Sequence, residues 1–349
     1  MQTIYEKIAN YLRYLIEENK NNPNYRLPSE QQLQKKFSAS RVSVRRAFKK
    51  LQDENLILSM KGKGHFINYD AGFDNSYEIK TTIAFIMTNP SNNFHQQILK
   101  GVNEYCNDNN IHLITYFSYN DPRLEQQKLI DAKNSHVDGI ILFPCDNDVY
   151  SAELLKLINK KPIVLVDRYL KGLNLPCVSS KHQELAFNAV KYFYKKNLHD
   201  IVYICHQANL SSSTIDREEG IKNGLLKFMG QLNNNNFLHE SAPPDKIYDL
   251  YLDYFSKNKH IKGVLATPCN EDLLRALETL KLKINRDIFM ISIDESPESS
   301  AQTIYPSIIQ NGFKIGYTAG EYVVKMLREY LPNTKQSIMI PVKYKNWRF

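Results

Sequence analysis

Leu27–Phe66, LPSEQQLQKKFSASRVSVRRAFKKLQDENLILSMKGKGHF, decides how this chain reads. It predicts a short helix, a tight turn, a basic helix and a Gly-flanked basic hairpin, one directly after the other. Ser29 with Gln32 three residues on is the start signal of a helix, since each side chain can satisfy a backbone N–H of the other residue. Leu33 and Phe37 then recur at i, i+4 as the core stripe of that helix. Ser38-Ala39-Ser40 makes the turn, and Ser40 is placed to cap a second helix. In that second helix Val44, Ala47, Phe48 and Leu51 fall at i, i+3, i+4, i+7 and must face a core. The opposite face carries Arg41, Arg45 and Lys49, flanked by Ser43, Arg46 and Lys50. An isolated basic helix face is most often only solvated surface. Behind a tight turn, with a buried stripe opposite, it is what a recognition helix in a DNA major groove requires. Leu56–Leu58 and Phe66-Ile67 read as the two strands of a wing, with Lys61, Gly62, Lys63, Gly64 and His65 at its basic tip. Ser29, Glu30, Arg41, Ser43, Arg45, Arg46, Lys50 and that tip are the candidate DNA contacts.

The distribution of charge supports this. Of the formal net charge of +8 over 349 residues, residues 1–70 hold 13 Lys/Arg against 7 Asp/Glu. The remainder is close to balanced, so the positive excess sits where phosphate contacts would need it. The length calls for two or three domains. The N-terminal MQTIYEKIANYLRYLIEENK is an amphipathic helix rather than a signal peptide, and no apolar run reaches membrane-spanning length. The five cysteines, Cys106, Cys145, Cys177, Cys205 and Cys269, are scattered and lack C-x-x-C spacing. Reduced thiols in a cytoplasm are expected, with no zinc site and no cofactor.

Past a polar linker at 70–80 the pattern changes. Apolar β-rich runs at Ile83–Met87, His112–Phe117, Gly139–Phe143, Ile163–Val166, Ile201–Cys205, Gly263–Ala266 and Phe289–Ile293 alternate with helical stretches. Repeated βα units with continuous apolar strands predict two doubly wound parallel-sheet α/β subdomains behind a winged helix-turn-helix. The expected domains are 1–69, the linker 70–80, and 81–349. The last divides into an N-subdomain of about 81–178 with 310–331 and a C-subdomain of about 181–306 with 335–349. The Asn233–Asn236 run reads as a surface loop. Ligands of open α/β sheets sit beyond the carboxyl ends of the strands. The residues found there are Asn92, Phe94 and His95; Asp167 and Arg168; Arg217; Asn270, Glu271 and Asp272; Asp294; and Gln310. Singly, each is more often an ordinary polar loop end. Together they are the equipment for a polyhydroxylated ligand. Carboxylates and amides pair with vicinal hydroxyls, arginines fork across them, and a ring covers the C–H face of a sugar.

Two resemblances add to this. Residues 1–68 resemble a GntR-type winged helix-turn-helix in "LPSEQQL", "SRVSVRRAF" and "L…GKGHFI". Residues 81–349 resemble the LacI-family regulatory module, related in fold to periplasmic sugar-binding proteins, in "IAFIMTNPSNNFHQQILKGV", "KPIVLVDRYLKGLNLPCVSS", "SSSTIDREEGIKNGL" and "FMISIDES". The second resemblance implies that Phe94, Asp167, Arg168, Arg217, Asn270, Asp294 and Gln310 contact a pentose or hexose. His95 stands where a second aromatic ring is usual. Cys269-Asn270-Glu271 replaces a more common Ala-Asn-Asp, leaving Asn270, Glu271 or Asp272 as the contact. The combined layout is that of arabinose repressors of the AraR type. It implies a homodimer in which the subdomain containing Phe94–Cys177 supplies most of the dimer surface.

These readings lead to a DNA-binding transcription regulator, expected to be a repressor, that leaves a palindromic operator when a neutral monosaccharide enters the cleft. A sugar-metabolising α/β enzyme with an accessory reader, and an activator answering another metabolite, are the alternatives. Against an enzyme, there is no G-x-G-x-x-G after a strand, no G-x-x-x-x-G-K-[ST], and no metal-ligand spacing among nine histidines.

Overall fold

The computed structural model describes residues 3–19, 22, 25–60, 63–68, 81–145, 150–206, 211–267, 270–294 and 305–347. The expected linker and the wing-tip residues Lys61 and Gly62 lie outside the described residues. The chain divides into two compact units, residues 1–80 with 324–332, and residues 81–323 with 333–349. A boundary therefore falls inside a helix that the sequence pattern places wholly in the sugar-type module.

In the first unit α1 (Ile4–Glu18), α2 (Glu30–Phe37) and α3 (Arg41–Asp53) precede β1 (Ile57–Met60) and β2 (Gly64–Ile67). The capping box is present: Ser29 Oγ accepts the Gln32 N–H, and Gln32 Oε1 accepts the Ser29 N–H at 2.8 Å. Ser40 caps α3 by accepting the N–H of Ser43. Val44, Ala47, Phe48 and Leu51 are buried with Ile8, Leu12, Ile16 and Leu33 in one core. Arg13 forks onto Glu54 at 2.7 and 3.1 Å and ties α1 to the end of α3. The strands pair antiparallel, with Met60 opposite Gly64. Gly64 has φ +111°, a backbone conformation that residues with a Cβ rarely adopt, and the Arg26 guanidinium lies close over it.

The second unit holds two sheets. The first runs β4-β3-β5-β6-β7-β13, built from β3 (Thr82–Met87), β4 (His112–Phe117), β5 (Gly139–Leu142), β6 (Ile163–Val166), β7 (Cys177–Ser180) and β13 (Ser337–Ile340). Its pairings are all parallel. The second runs β9-β8-β10-β11-β12-β14, from β8 (Ile201–His206), β9 (Phe237–Glu240), β10 (Gly263–Thr267), β11 (Phe289–Ile293), β12 (Ser307–Ile309) and β14 (Lys343–Lys345). Here β14 pairs antiparallel with β12. The helices α4 (Asn93–Asp108), α5 (Pro122–Asn134), α6 (Ala152–Ile158), α7 (His182–Lys195), α8 (Ser212–Met229), α9 (Ile247–Lys257), α10 (Glu271–Thr279) and α11 (Gly312–Glu329) alternate with the strands. Apolar clusters cover both faces of the second sheet.

One expected boundary is corrected. The sequence pattern places residues 335–349 whole in the C-subdomain, but Ser337–Ile340 pairs with Cys177–Ser180 in the first sheet, and the chain crosses over only at 341–342. The strands β7, β9, β12, β13 and β14 are short and interrupted by polar residues, so no continuous apolar run marks them. The Asn run is a 3-10 turn whose last side chain donates to the Ile201 carbonyl at 2.8 Å.

Candidate functional site

Each unit carries a separate candidate surface. On the first, α3 presents Arg41 and Arg45 with side chains 64% and 58% exposed. Both donate Nε–H to Glu30, each at 3.0 Å. Partial burial disfavours the Glu30 charge, but the two guanidinium hydrogen bonds outweigh that and hold the carboxyl below its ordinary value. Glu30 therefore orients the arginines rather than meeting phosphate itself. Ser29 is spent on its cap. Ser43 Oγ lies 3.0 Å from Ser40 Oγ. Arg46 stays exposed over the Tyr5 ring, 4.1 Å from its centroid. Lys50, half-buried, stands 6.0 Å from the same ring.

His65 departs from the expectation of a DNA-facing tip. Its ring stacks on Phe48 at 3.7 Å and its Nδ1 lies 2.6 Å from Ser59 Oγ, so it fastens the wing to α3. Burial pushes its pKa below the usual histidine value. Lys63 is exposed beside it. Two residues escaped the sequence reading. Val42, 76% exposed at the start of α3, offers an apolar contact of the kind a thymine methyl takes. Arg26 is exposed against Gly64 at the wing. An exposed valine on an otherwise polar helix face was the available signal for the first.

In the second unit a cleft of about 530 Å³ gathers Phe94, His95, Asp167, Arg168, Arg217, Asp294 and Gln310. Asp167 and Asp294 follow β6 and β11, and both have left-handed φ, +63° and +68°, which turns the chain sharply at the strand ends. Asp167 is 3.5 Å from Arg168 Nε and 3.4 Å from His182 Nε2. Burial alone would raise its pKa. The His182 hydrogen bond and the charges of His182, Arg168 and Arg217 prevail and hold it well below the carboxylate range. Asp294 is the opposite case: burial pushes it up despite Arg217 and despite accepting the Gln310 Nε2–H at 2.8 Å. Arg168 donates to the Pro144 carbonyl at 3.0 Å and lies over Phe143. Glu125, its own pKa raised by burial, fixes that loop by accepting the Cys145 N–H at 2.7 Å.

The rim is polar and aromatic. Asn92 lines the cleft while capping α4, its side chain accepting the His95 N–H at 2.9 Å. His95 Nδ1 lies 2.9 Å from the Asn89 carbonyl, and its ring meets Phe143 edge-on. Among the described residues, Thr88 Oγ1, Arg217 Nε, Thr267 Oγ1 and Gln310 Oε1 are buried polar atoms with no hydrogen-bond partner. All four residues line the cleft, where a ligand rich in hydroxyls would satisfy them.

Asn270 and Glu271 are not among the cleft residues. Asn270 caps α10 by accepting the Leu273 N–H, and it donates to Glu240 Oε1 at 3.2 Å. Glu271 is exposed in the first turn of that helix. The wall expected from them is built instead by Thr267 at the end of β10 and by Glu240 on β9. Glu240 was missed because its strand was not recognised. Tyr169, just past Arg168, spans the two lobes. Its N–H donates to Ser212 Oγ at 2.8 Å and its hydroxyl to Asp216 at 3.1 Å.

No helix of the described residues is long and apolar enough to cross a membrane. Residues 83–333 match the family model described as periplasmic binding protein domain. Residues 4–67 match the one described as bacterial regulatory proteins, gntR family. The chain is 23% identical over 276 residues to a ribose operon repressor of Haemophilus influenzae, covering 74% of this chain and 78% of that protein. It is 19% identical over 352 residues to an arabinose metabolism transcriptional repressor of Halalkalibacterium halodurans, covering 94% and 90%. A solved periplasmic binding protein/LacI transcriptional regulator from Alkaliphilus metalliredigens, complexed with D-xylulofuranose, superposes with a TM-score of 0.62 at 19% identity, over 76% of this chain and 97% of that one. That likeness concerns the fold.

Proposed function

Since the chain belongs to the periplasmic binding protein domain family over residues 83–333 and carries a gntR-type reader over residues 4–67, we propose that it is a sugar-responsive transcriptional repressor. It binds a palindromic operator as a homodimer in the cytoplasm and leaves it when a neutral monosaccharide fills the cleft. The observation that carries this reading is the convergence of Asp167 and Arg168 from one lobe with Arg217 and Asp294 from the other on one cleft. Only a ligand touching both lobes binds the closed form better, and that difference in affinity is what shifts a population.

The charge set favours an uncharged ligand. Asp167, Asp294 and Glu240 line the cleft with two arginines. A sugar phosphate would need a basic cluster free of carboxylates. A pentose is favoured, with arabinose first, because relatives named for arabinose and ribose match this chain. On the first unit, Arg41, Arg45 and Val42 address base edges while Arg46, Lys50 and Lys63 address phosphates.

The test is operator release followed by fluorescence anisotropy across free pentoses, hexoses and their phosphates. A free pentose should release the DNA. Arg217→Ala and Asp294→Ala should keep operator affinity and lose the response. A sugar phosphate binding ten-fold tighter than every free sugar, or variants that respond at unchanged sugar concentrations, would sink the reading.

A further inference from the structure

Three chemically distinct donors meet on the α8 side of the second sheet. Cys205 ends the described core of β8, and in the parallel register it lies directly opposite His239 on β9, so both side chains emerge on the same face. α8 crosses that face and lowers Glu218 onto them. Glu218 Oε1 is 2.8 Å from His239 Nε2. The Cys205 Sγ, a Glu218 carboxylate oxygen and a His239 ring nitrogen all lie within 4.8 Å of one another.

We propose that Cys205, Glu218 and His239 form a binding site for a zinc-class divalent cation, with a fourth position open to solvent. The proposal rests on this cluster alone and not on the sugar reading. Thiolate, imidazole and carboxylate together suit zinc or cobalt. Magnesium and calcium call for oxygen donors only. Ligand atoms around a tetrahedral zinc at about 2.0–2.3 Å from the metal stand farther apart than the hydrogen-bonded Glu218–His239 pair. Binding therefore replaces that hydrogen bond with two metal–ligand bonds and needs only a small separation of the two side chains. The His239 side chain is 33% exposed and Cys205 is buried, which gives a cation an entry side and a closed side.

Burial, with Glu218 and Glu240 nearby, pushes the Cys205 thiol up to about 12, so without a metal it keeps its proton. On binding, that proton goes to solvent and the thiolate takes the metal. In the metal-free site the contact needs Nε2–H donating to the Glu218 carboxylate; on binding, a neutral imidazole moves that proton through solvent to Nδ1 and presents the Nε2 lone pair. The divalent charge is balanced by one thiolate and one carboxylate. Lys222 stays on the other Glu218 oxygen, 3.4 Å away, and orients the carboxylate. The ligands stand 13 and 21 positions apart in the sequence, on two strands and a helix, so no linear spacing announces them. Cys205 also lines the cleft, which places the cation in its wall.

The test uses the full chain, stripped with chelator and titrated with Co²⁺. One equivalent should bind with release of about one proton per site and give a thiolate-to-cobalt charge-transfer band in the near ultraviolet, and Zn²⁺ should displace the cobalt with no further proton release. Cys205→Ser should abolish the band, and His239→Gln should weaken binding on the order of 10–100-fold. Failure of the unmodified protein to retain Co²⁺ or Zn²⁺ through dialysis overturns the proposal whatever the variants do. So does a cobalt band that persists in folded Cys205→Ser.

Discussion

Asp167 and Asp294 show how burial has opposite consequences for one side-chain type. Asp167 is held ionised by His182 and Arg168, whereas Asp294 is pushed upward by its surroundings. A carboxyl whose folded pKa lies above its unfolded one binds protons in the native state, so stability falls as pH rises from about 3.8 through the folded value. Asp294→Asn should therefore raise the Tm of the ligand-free protein at pH 7, and the gain should shrink as the pH is lowered. Asp167 has the reverse sign, stabilising above about 3.8 and losing that contribution as the pH falls below it. Asp167→Asn leaves the partly buried Arg168 without its counter-charge and should cost about 3 kcal/mol at neutral pH. Melting curves between about pH 3 and pH 8 check both signs. On the reader, Arg45→Ala should cost about 1–3 kcal/mol of operator binding if Arg45 makes a bidentate guanine contact. Glu30→Gln removes the negative charge and one of the two oxygens that accept from Arg41 and Arg45. It should steepen the salt dependence of binding by about one and narrow the gap between operator and random DNA. An unchanged specificity ratio would show that Glu30 does not set their geometry.

At the scale of elements, α4 and α11 pack with unusually close backbones. A Cβ at Gly101 would sit 2.1 Å from the Phe313 carbonyl, and one at Gly316 would sit 2.0 Å from that of Ile98. Gly316→Ala should cost about 3 kcal/mol and lower the Tm by roughly 5–10 °C. A shift under a degree would mean that the helices separate easily. The wing depends on a similar local fit, with His65 stacked on Phe48 and Gly64 turned under Arg26. Those contacts explain why the basic tip contains a histidine that does not face outward.

Across the second unit the two lobes touch through Tyr169, whose hydroxyl reaches Asp216 on α8. This contact belongs to the relative position of the lobes rather than to either fold. Tyr169→Phe should leave each lobe intact and weaken sugar binding several-fold, in line with about 0.5–1.5 kcal/mol for one hydrogen bond. Calorimetry with the releasing sugar checks it, and an unchanged affinity would show that the bridge is equally present in open and closed forms.

What the sequence by itself determined is whatever depends on local periodicity and on chain order. The capping box at Ser29, the buried stripe Val44–Leu51 and the alternation of apolar strands with helices are of this kind, because burying one face of each element leaves a period in the chain. Asp167, Arg168, Asp294 and Gln310 were legible for the same reason, as polar residues directly after recognisable strands or beside helix starts, whereas Arg217, expected just ahead of a helix, lies in the second turn of α8. The tertiary structure alone decided three things. Glu240 lines the cleft wall in place of Asn270 and Glu271 because β9 pairs beside β8, and its sequence FLHE, half polar, leaves no apolar run to read. Ser337–Ile340 joined the first sheet because pairing with Cys177–Ser180 is a long-range choice that its own composition does not encode. Cys205, Glu218 and His239 met because parallel register and helix packing set distances that separation along the chain cannot.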